Sequence, residues 1–235
     1  MNCVSVLSFQ RTIKQDIILR LAADEFMLLV MPGQYINCGL AADAVNVIPA
    51  YIFSVNQAAR WIEIFISHHL YERLSLKIEL KKIFITDLLG DAFVLSDGVN
   101  RPLLIADESG LPAIIFFAGK IKAAHQVQPL VLLYSEESFP FTPVPSQFVV
   151  SNFPAGVLAA CPLLEDKRIP SRLICENLLP GCYDGNIAEC LDELPDAFFD
   201  GENSKIYAIA EKKTLDQISV FSQRRELAIH CICVI

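Results

Sequence analysis

Glycine is scarce in this chain, with 10 residues out of 235, or about 4% where about 7% is ordinary. Few glycines mean few places where backbone can close tightly on a phosphate group. Long apolar runs are lacking as well. The longest candidate, Leu103 to Ala118, is broken by Asp107, Glu108 and Ser109, whereas a membrane-crossing helix needs about 18 or more consecutive apolar residues, so no membrane span is expected. Basic residues are outnumbered, 19 against 27 acidic, for a net charge of −8 and a pI near 5.0. Such a field repels phosphate backbones and anionic lipid, which speaks against nucleic acid as a partner. The opening residues, MNCVSVLSFQRTIKQ, carry no basic leader ahead of an apolar core, so the expectation is a cytoplasmic protein. Short paired cysteine spacings are missing too. Cys161, Cys175, Cys182 and Cys190 are separated by 13, 6 and 7 residues, unlike a zinc ribbon. In a reducing compartment the eight cysteines read as buried thiols or metal ligands rather than disulfides, with scattered core thiols preferred. Neither an internal repeat nor a low-complexity segment is visible.

Apolar residues, by contrast, are plentiful: 53% of the chain, with mean hydropathy +0.42. That excludes a disordered tail and allows a sizeable core, with a surplus that points to a homo-oligomer or a partner subunit. Short strand-like runs fill the first half: Cys3 to Phe9, Ile17 to Leu21, Gln34 to Gly39, Ile48 to Val55 and Trp61 to Ile66. Turn signals such as Pro32-Gly33 and Asn56-Gln57 separate them. Their spacing predicts a small antiparallel barrel or sandwich. Leu70 to Leu76 reads as a short inserted helix, and Lys77 to Ile85 as strand.

Asp97-Gly98-Val99-Asn100 is turn-rich and is taken as a boundary, giving domains of 1–98 and 99–235. Beyond it strands and helices alternate. Pro102 to Ala106 and Pro129 to Tyr134 read as buried parallel strands around a helix over Leu111 to Ala124. Arg172 to Cys175, Ile187 to Leu194, Lys205 to Ala210, Thr214 to Arg224 and Ala228 to Val234 continue as strand, helix, strand, helix, strand. This order predicts a parallel sheet. Phe139 to Pro145, FPFTPVP, is a rigid proline-rich loop, either a cover over apolar surface or a contact for another chain.

Several local strings give the chain a family likeness. Met31-Pro32-Gly33-Gln34-Tyr35-Ile36 resembles the Pro-Gly-Gln-Tyr/Phe-Val strand entry of the ferredoxin-NADP reductase-like flavoproteins. Asp87-Leu88-Leu89-Gly90-Asp91-Ala92-Phe93 is similar to the string that closes the barrel in the electron-transfer subunit of dihydroorotate dehydrogenase. Gly185-Asn186-Ile187-Ala188-Glu189-Cys190-Leu191 resembles the family's Gly-x-Val-Thr-x-x-Leu helix start. The likeness spans almost the whole chain. It implies an antiparallel FAD-binding-type β-barrel followed by a nucleotide-binding-type α/β domain, and an oxidoreductase that passes electrons from NAD(P)H through FAD to a partner redox protein.

The departures bear on the cofactors. Where the family carries Arg-x-Tyr-Ser for the flavin, this chain reads Pro49-Ala50-Tyr51-Ile52-Phe53-Ser54; the resemblance leaves Tyr51 as the candidate stacking residue, while Pro49 replaces the bidentate Arg and Ile52 the Ser. Ser67-His68-His69-Leu70-Tyr71 replaces the Gly-x-Gly-Thr flavin-phosphate loop. The resemblance assigns Ser54 and Ser67 as hydrogen-bond donors to the flavin. Lys77, Lys81 and Arg73 are the nearby cations, read more readily as solvated charges. The glycine-rich nucleotide loop is replaced by Ala106-Asp107-Glu108-Ser109-Gly110-Leu111-Pro112-Ala113-Ile114, which looks like the loop of the siderophore-interacting ferric reductases. Gly110 is the position that would let a nucleotide approach. Asp107 and Glu108 would oppose a pyrophosphate. Ala208-Ile209-Ala210-Glu211 stands in place of the family's Cys-Gly-Pro, and the Cys231-Ile232-Cys233 spacing does not suit an iron-sulfur cluster, so none is expected. The competing reading is a degenerate reductase fold kept as an interaction or regulatory subunit.

Other constellations have plainer readings. His68, His69 and Glu72 share a helix turn but the adjacent histidines diverge, so a metal is not expected. Cys231 and Cys233 read as one face of a last core strand. Cys231 with His125 as a nucleophile pair needs a spatial contact that sequence does not give. Asp107 and Glu108 could form an acid-base pair, but a solvent-facing loop is preferred.

Overall fold

The computed structural model describes residues 1–41, 47–74, 81–125, 127–199 and 204–234, and the chain divides into two compact units, Met1–Phe93 and Val94–Ile235. The first unit contains β1 (Asn2–Arg11), β2 (Ile17–Ala22), a single 3-10 turn (Met27–Leu29), β3 (Tyr35–Gly39), β4 (Val47–Asn56), β5 (Trp61–Ile66), α1 (His68–Leu74) and β6 (Lys82–Ile85). These strands close into an antiparallel barrel in the order β1-β2-β5-β4-β3-β6. Period-two alternation makes this possible. Ile62, Ile64 and Ile66 on β5 are fully buried while Trp61, Glu63 and Phe65 are half-exposed, and Ile17, Leu19, Leu21, Ile36, Cys38, Ile48 and Ile52 complete the interior. Bulges at Val6/Ser8 and Ile52/Ser54 bend the strands around the closure.

The expected strand Lys77 to Ile85 is shorter in the structure, Lys82–Ile85. Residues 75–80, Lys77 among them, and the side chain of Arg73 lie outside the described residues. Lys81 is exposed, and its carbonyl accepts the Val6 amide at 2.9 Å.

The second unit contains β7 (Arg101–Ala106), α2 (Leu111–His125), β8 (Leu130–Ser135), β9 (Val144–Pro145), β10 (Ala159–Ala160), α3 (Pro162–Asp166), β11 (Ser171–Cys175), β12 (Tyr183–Asp184), α4 (Ile187–Glu193), α5 (Asp196–Phe199), β13 (Ser204–Ala210), α6 (Lys212–Arg224) and β14 (Ile229–Cys233). Six strands form one parallel sheet in the order β12-β11-β8-β7-β13-β14. Strand direction of travel reverses between β7 and β13. That junction is the topological switch point of an open α/β sheet, where ligands bind at the carboxyl ends of the strands.

Both faces of this sheet are covered, which explains the near-continuous apolar runs of β7, β8 and β13. On one face α4 and α6 bury Cys190, Leu191, Leu215, Ile218 and Phe221 against Leu103, Ile105, Leu132 and Ile206. Segment 94–98 is tied to β13 through Ser96, whose amide donates to the Tyr207 hydroxyl at 2.9 Å and whose Oγ accepts Lys205 Nζ at 2.7 Å and the Tyr207 hydroxyl at 3.2 Å. The proline-rich loop stacks Phe139 on Phe141, with centroids 5.4 Å apart and Phe139 buried, before β9 pairs with β10.

β14 departs from the expected core strand. It is the outermost strand and pairs only with β13, so Cys231 and Cys233 share one face as the period of two requires, yet both are exposed. Cys38, Cys161, Cys175 and Cys190 are buried. Burial pushes the thiols of Cys38, Cys161 and Cys190 up to about 12, which keeps them protonated, as core groups rather than thiolate ligands. Among the described residues no group of three or more His, Cys, Asp or Glu side chains is placed to hold a metal ion, and no helix is long and apolar enough to cross a membrane.

Candidate functional site

The residues that the family resemblance assigns to a flavin lie on β4 (Tyr51, Ser54) and immediately before α1 (Ser67). Tyr51 lies on the outer face of the barrel, since its neighbours Ala50 and Ile52 point inward with about 1% exposure. It sits opposite Tyr35 on β3, ring centroids 5.5 Å apart at 47°, and is 5% exposed. Gly90, with φ +82°, brings its backbone so near Tyr35 that an added Cβ would lie 3.0 Å from the ring. Tyr35, Tyr51 and the Leu89-Gly90 turn thus form one packed aromatic corner, and Tyr35 exchanges two backbone bonds with Leu89, at 3.0 and 2.9 Å. Ser54 is half-buried just after the β4 bulge, opposite Glu63. Arg20 holds Glu63 through Nε and Nη2 at 3.1 and 2.8 Å and lies 4.2 Å over the Trp61 ring.

Ser67 is half-buried and its carbonyl accepts the Tyr71 amide at 2.9 Å, opening α1. The next amide is already taken. Asp16 Oδ1 accepts the His68 N–H at 2.9 Å, and its other oxygen accepts the Thr12 hydroxyl at 3.0 Å. Asp16 is 8% exposed. A carboxylate of the chain therefore takes the first amide of α1. His68 Nε2 stands 3.4 Å from Glu72 Oε1, one turn along, and the His68 and His69 rings are 6.1 Å apart.

The loop after β7 carries Asp107, Glu108 and Gly110, and the structure brings all three to the switch point. Asp107 is not solvent-facing as the sequence suggested; it is 8% exposed. Its Oδ1 accepts the Gly110 amide at 3.0 Å, immediately before α2, and its Oδ2 accepts the Glu211 amide at 2.7 Å, immediately before α6. Helix starts leave amides without intrahelical partners, and a buried carboxylate satisfies one at each helix here. Burial raises the Asp107 carboxyl above its ordinary value, while the Glu211 and Gly110 amides and the Thr214 hydroxyl pull it back.

Gly110 packs against β13. A Cβ at this position would lie 1.8 Å from the Ile209 carbonyl oxygen, so only glycine lets the start of α2 approach the end of β13 this closely. Pro112, in the first turn of α2, has no amide to offer. The rest of the loop is laced down in the same way: Ser109 Oγ donates to Glu211 Oε1 at 2.8 Å, and Ser135 Oγ to half-buried Glu108 Oε1 at 2.5 Å.

Acids recur at every neighbouring strand end. Glu136 and Glu137 follow β8, Glu176 follows β11 and Glu211 follows β13, joining Asp107 and Glu108 after β7. Glu176 accepts the Tyr134 hydroxyl at 2.5 Å, and Lys213 pairs with Glu136. Six carboxylates at one sheet edge oppose a pyrophosphate through like charge. Asp16 and Glu211 were not singled out from the sequence. The acidic residue ahead of the amphipathic α6 run is a helix-start signal that points to Glu211, whereas the bond of Asp16 to His68 spans 52 residues and leaves no local trace. The side chain of His125 lies outside the described residues, so its pairing with Cys231 has no geometry to report.

Neither protein-family models nor the sequences of curated proteins match this chain. Solved structures do match it in fold. The ferredoxin reductase in carbazole 1,9a-dioxygenase superposes with a TM-score of 0.73 at 13% identity, covering 99% of this chain and 69% of that one. The fold is that of the ferredoxin-NADP reductases. Ferredoxin-NADP+ reductase from Plasmodium falciparum matches over 98% of this chain and 95% of its own at a TM-score of 0.63 and 11% identity. An intact type IV self-sufficient cytochrome P450 monooxygenase matches 97% of this chain with a TM-score of 0.67 and 11% identity, and this chain spans 28% of that protein. Identities at this level establish the architecture and leave the chemistry to the residues of the site.

Proposed function

We propose that this chain is a reductase-fold interaction or regulatory subunit that works without a bound dinucleotide cofactor. The observation that carries the reading is Asp107, whose two oxygens accept the Gly110 and Glu211 amides and so close the switch point of the parallel sheet with the chain's own carboxylate. Asp16 acts similarly at the first amide of α1. A phosphate entering either place would have to displace a buried, hydrogen-bonded carboxylate and would then face like charge. On this reading the residues present do not fit the phosphates of FAD or NAD(P)H. The fold supplies two packed units, and function on this reading lies in what their surfaces contact.

A second reading, an FAD-dependent NAD(P)H oxidoreductase or electron-transfer subunit serving a partner redox protein, is favoured by the fold itself and by the Tyr51–Tyr35 corner on the outer face of the barrel. In it Tyr51, Ser54 and Ser67 would contact the flavin, and Gly110, Asp107 and Glu108 would border the nucleotide. Titration calorimetry of the purified protein with FAD and with NADPH separates the two. The interaction-subunit reading expects no saturable heat with either; saturable binding tighter than about 100 μM would overturn it.

A further inference from the structure

One edge of the parallel sheet is short and the other is open. At one side β12 is only two residues long, Tyr183–Asp184. At the other β14 (Ile229–Cys233) runs beside β13 in unbroken register over five residues, with no Lys, Arg, Asp, Glu or Pro and no bulge, and Cys231 and Cys233 are exposed. Charges, prolines and bulges are the devices that ordinarily keep an edge strand from pairing further. The Ile206 amide donates to the Ala228 carbonyl and the Val234 amide to the Ala210 carbonyl, both at 3.0 Å. Every second residue of a strand turns its amide and carbonyl to the same neighbour, so Ala228, His230, Ile232 and Val234 address β13. Ile229, Cys231 and Cys233 turn theirs outward.

Beside this edge runs α6, which packs on both β13 and β14, with Ser219 within hydrogen-bond reach of Cys231. Residues three and four apart share one side of a helix. On the side of Ser219 these are Lys212 and Asp216 toward the start and Gln223 toward the end, with Glu226 in the turn that follows; all four are exposed. Among the described residues Lys212, Asp216 and Glu226 form no ion pair, whereas Lys213 and Arg224, on the other flank of α6, are paired with Glu136 and Asp192. The stripe complements its own two-fold image. About an axis at Ser219, Lys212 of one copy meets Glu226 of another and Asp216 meets Gln223, with a small side chain at the crossing.

The geometry points to a symmetric homodimer in which β14 pairs antiparallel with β14 of a second copy and α6 lies against its counterpart. With Cys231 on the axis, its amide and carbonyl exchange bonds with those of Cys231 in the second copy, and Ile229 exchanges bonds with Cys233 on either side, so the outward groups of the strand are satisfied. Adjacent strands stand about 4.8 Å apart. Seated over β13 and β14, α6 therefore lies about 5 Å from the axis and about 10 Å from its counterpart, which is helix-packing distance. One axis serves both the strand and the helix. The occupant is a second copy rather than a foreign strand because the charges beside the edge complement their own two-fold image. The contact does not depend on whether the switch point or the barrel binds a cofactor.

Sedimentation velocity of the full chain in reducing buffer tests this pairing. A species of twice the 26.1 kDa chain mass is expected, in reversible exchange with monomer. Cys231→Lys places like charges at the axis and gives the edge an ordinary guard; it is expected to yield monomer at unchanged circular dichroism. Lys212→Glu and Glu226→Lys each weaken the dimer about fivefold, and the two together restore it, since each exposed pair is modest but occurs on both sides of the axis. Should Cys231→Lys unfold the chain, the charge-reversed pair still decides. Monomer at every concentration up to about 200 μM, a dimer that survives Cys231→Lys in folded protein, or a double reversal no tighter than the single ones would overturn the assignment.

Discussion

Asp107 Oδ2 accepts the backbone amide of Glu211 at 2.7 Å, across 104 residues of chain, and so ties the carboxyl end of β7 to that of β13. Its other oxygen holds the Gly110 amide at 3.0 Å. One buried side chain thus serves the starts of α2 and α6 at the junction where an open α/β sheet ordinarily takes its ligand.

Removing that side chain exposes its structural share. Asp107→Ala leaves two amides at the switch point without their acceptor, and a buried unsatisfied donor costs about 1–3 kcal/mol. Urea unfolding is expected to show a loss of about 2–4 kcal/mol with an unchanged slope. A loss under about 0.5 kcal/mol would mean that water replaces the carboxylate freely.

The same residue sets a pH dependence with a definite sign. Burial raises the folded-state value of Asp107, so between the unfolded value of about 3.9 and the raised folded value the native state binds more protons than the unfolded one. Stability contributed by this group is therefore fully present below the unfolded value and is lost as pH rises through the folded one. The stability gap between the unaltered protein and Asp107→Ala should be wider at acid pH than at neutrality. Unfolding curves of both proteins across that range check it, and a gap that widens toward neutral pH contradicts the assignment.

Gly110→Ala tests the close approach of α2 to β13. The added methyl would stand 1.8 Å from the Ile209 carbonyl oxygen, backbone against backbone, with no flexible side chain to yield. Overpacking of side chains costs about 1–3 kcal/mol, and a backbone clash lies at or above the top of that range. The expected result is a large drop in melting temperature or insoluble protein, and near-normal melting would show that the contact is looser than described.

At the start of α1, Asp16→Ala frees the His68 amide and the Thr12 hydroxyl. Loss of a helix-start acceptor typically costs about 0.5–2 kcal/mol. Amide hydrogen exchange should accelerate at His68 while the barrel strands stay protected. Unchanged protection at His68 would mean that Asp16 contributes nothing there.

Architecture was legible because burial imposes period. Alternation over Trp61 to Ile66 and the continuous apolar runs of Leu103 to Ala106 and Leu130 to Tyr134 mark a half-buried barrel strand and doubly covered sheet strands. Elements too short to show a period were not: the two-residue strands β9, β10 and β12 and the single turn of α5. The altered phosphate loops were visible as missing glycines and an added Asp107-Glu108 pair. What those residues do instead was not, because the partners of Asp107 and Asp16 lie 104 and 52 residues away. Exposure at an edge is equally hidden, since β14 reads as an apolar run, Ile-His-Cys-Ile-Cys, like a core strand, while its terminal place in the sheet leaves Cys231 and Cys233 exposed.

The visible absorption spectrum of the purified, untagged protein, recorded again after incubation with excess FAD and gel filtration, tests the central claim most directly. A colourless protein is expected in both cases, folded by circular dichroism, with the added flavin leaving in the small-molecule fractions. Retention of the near-ultraviolet and blue bands of oxidised flavin, in proportion to protein, would contradict it and restore the reductase reading.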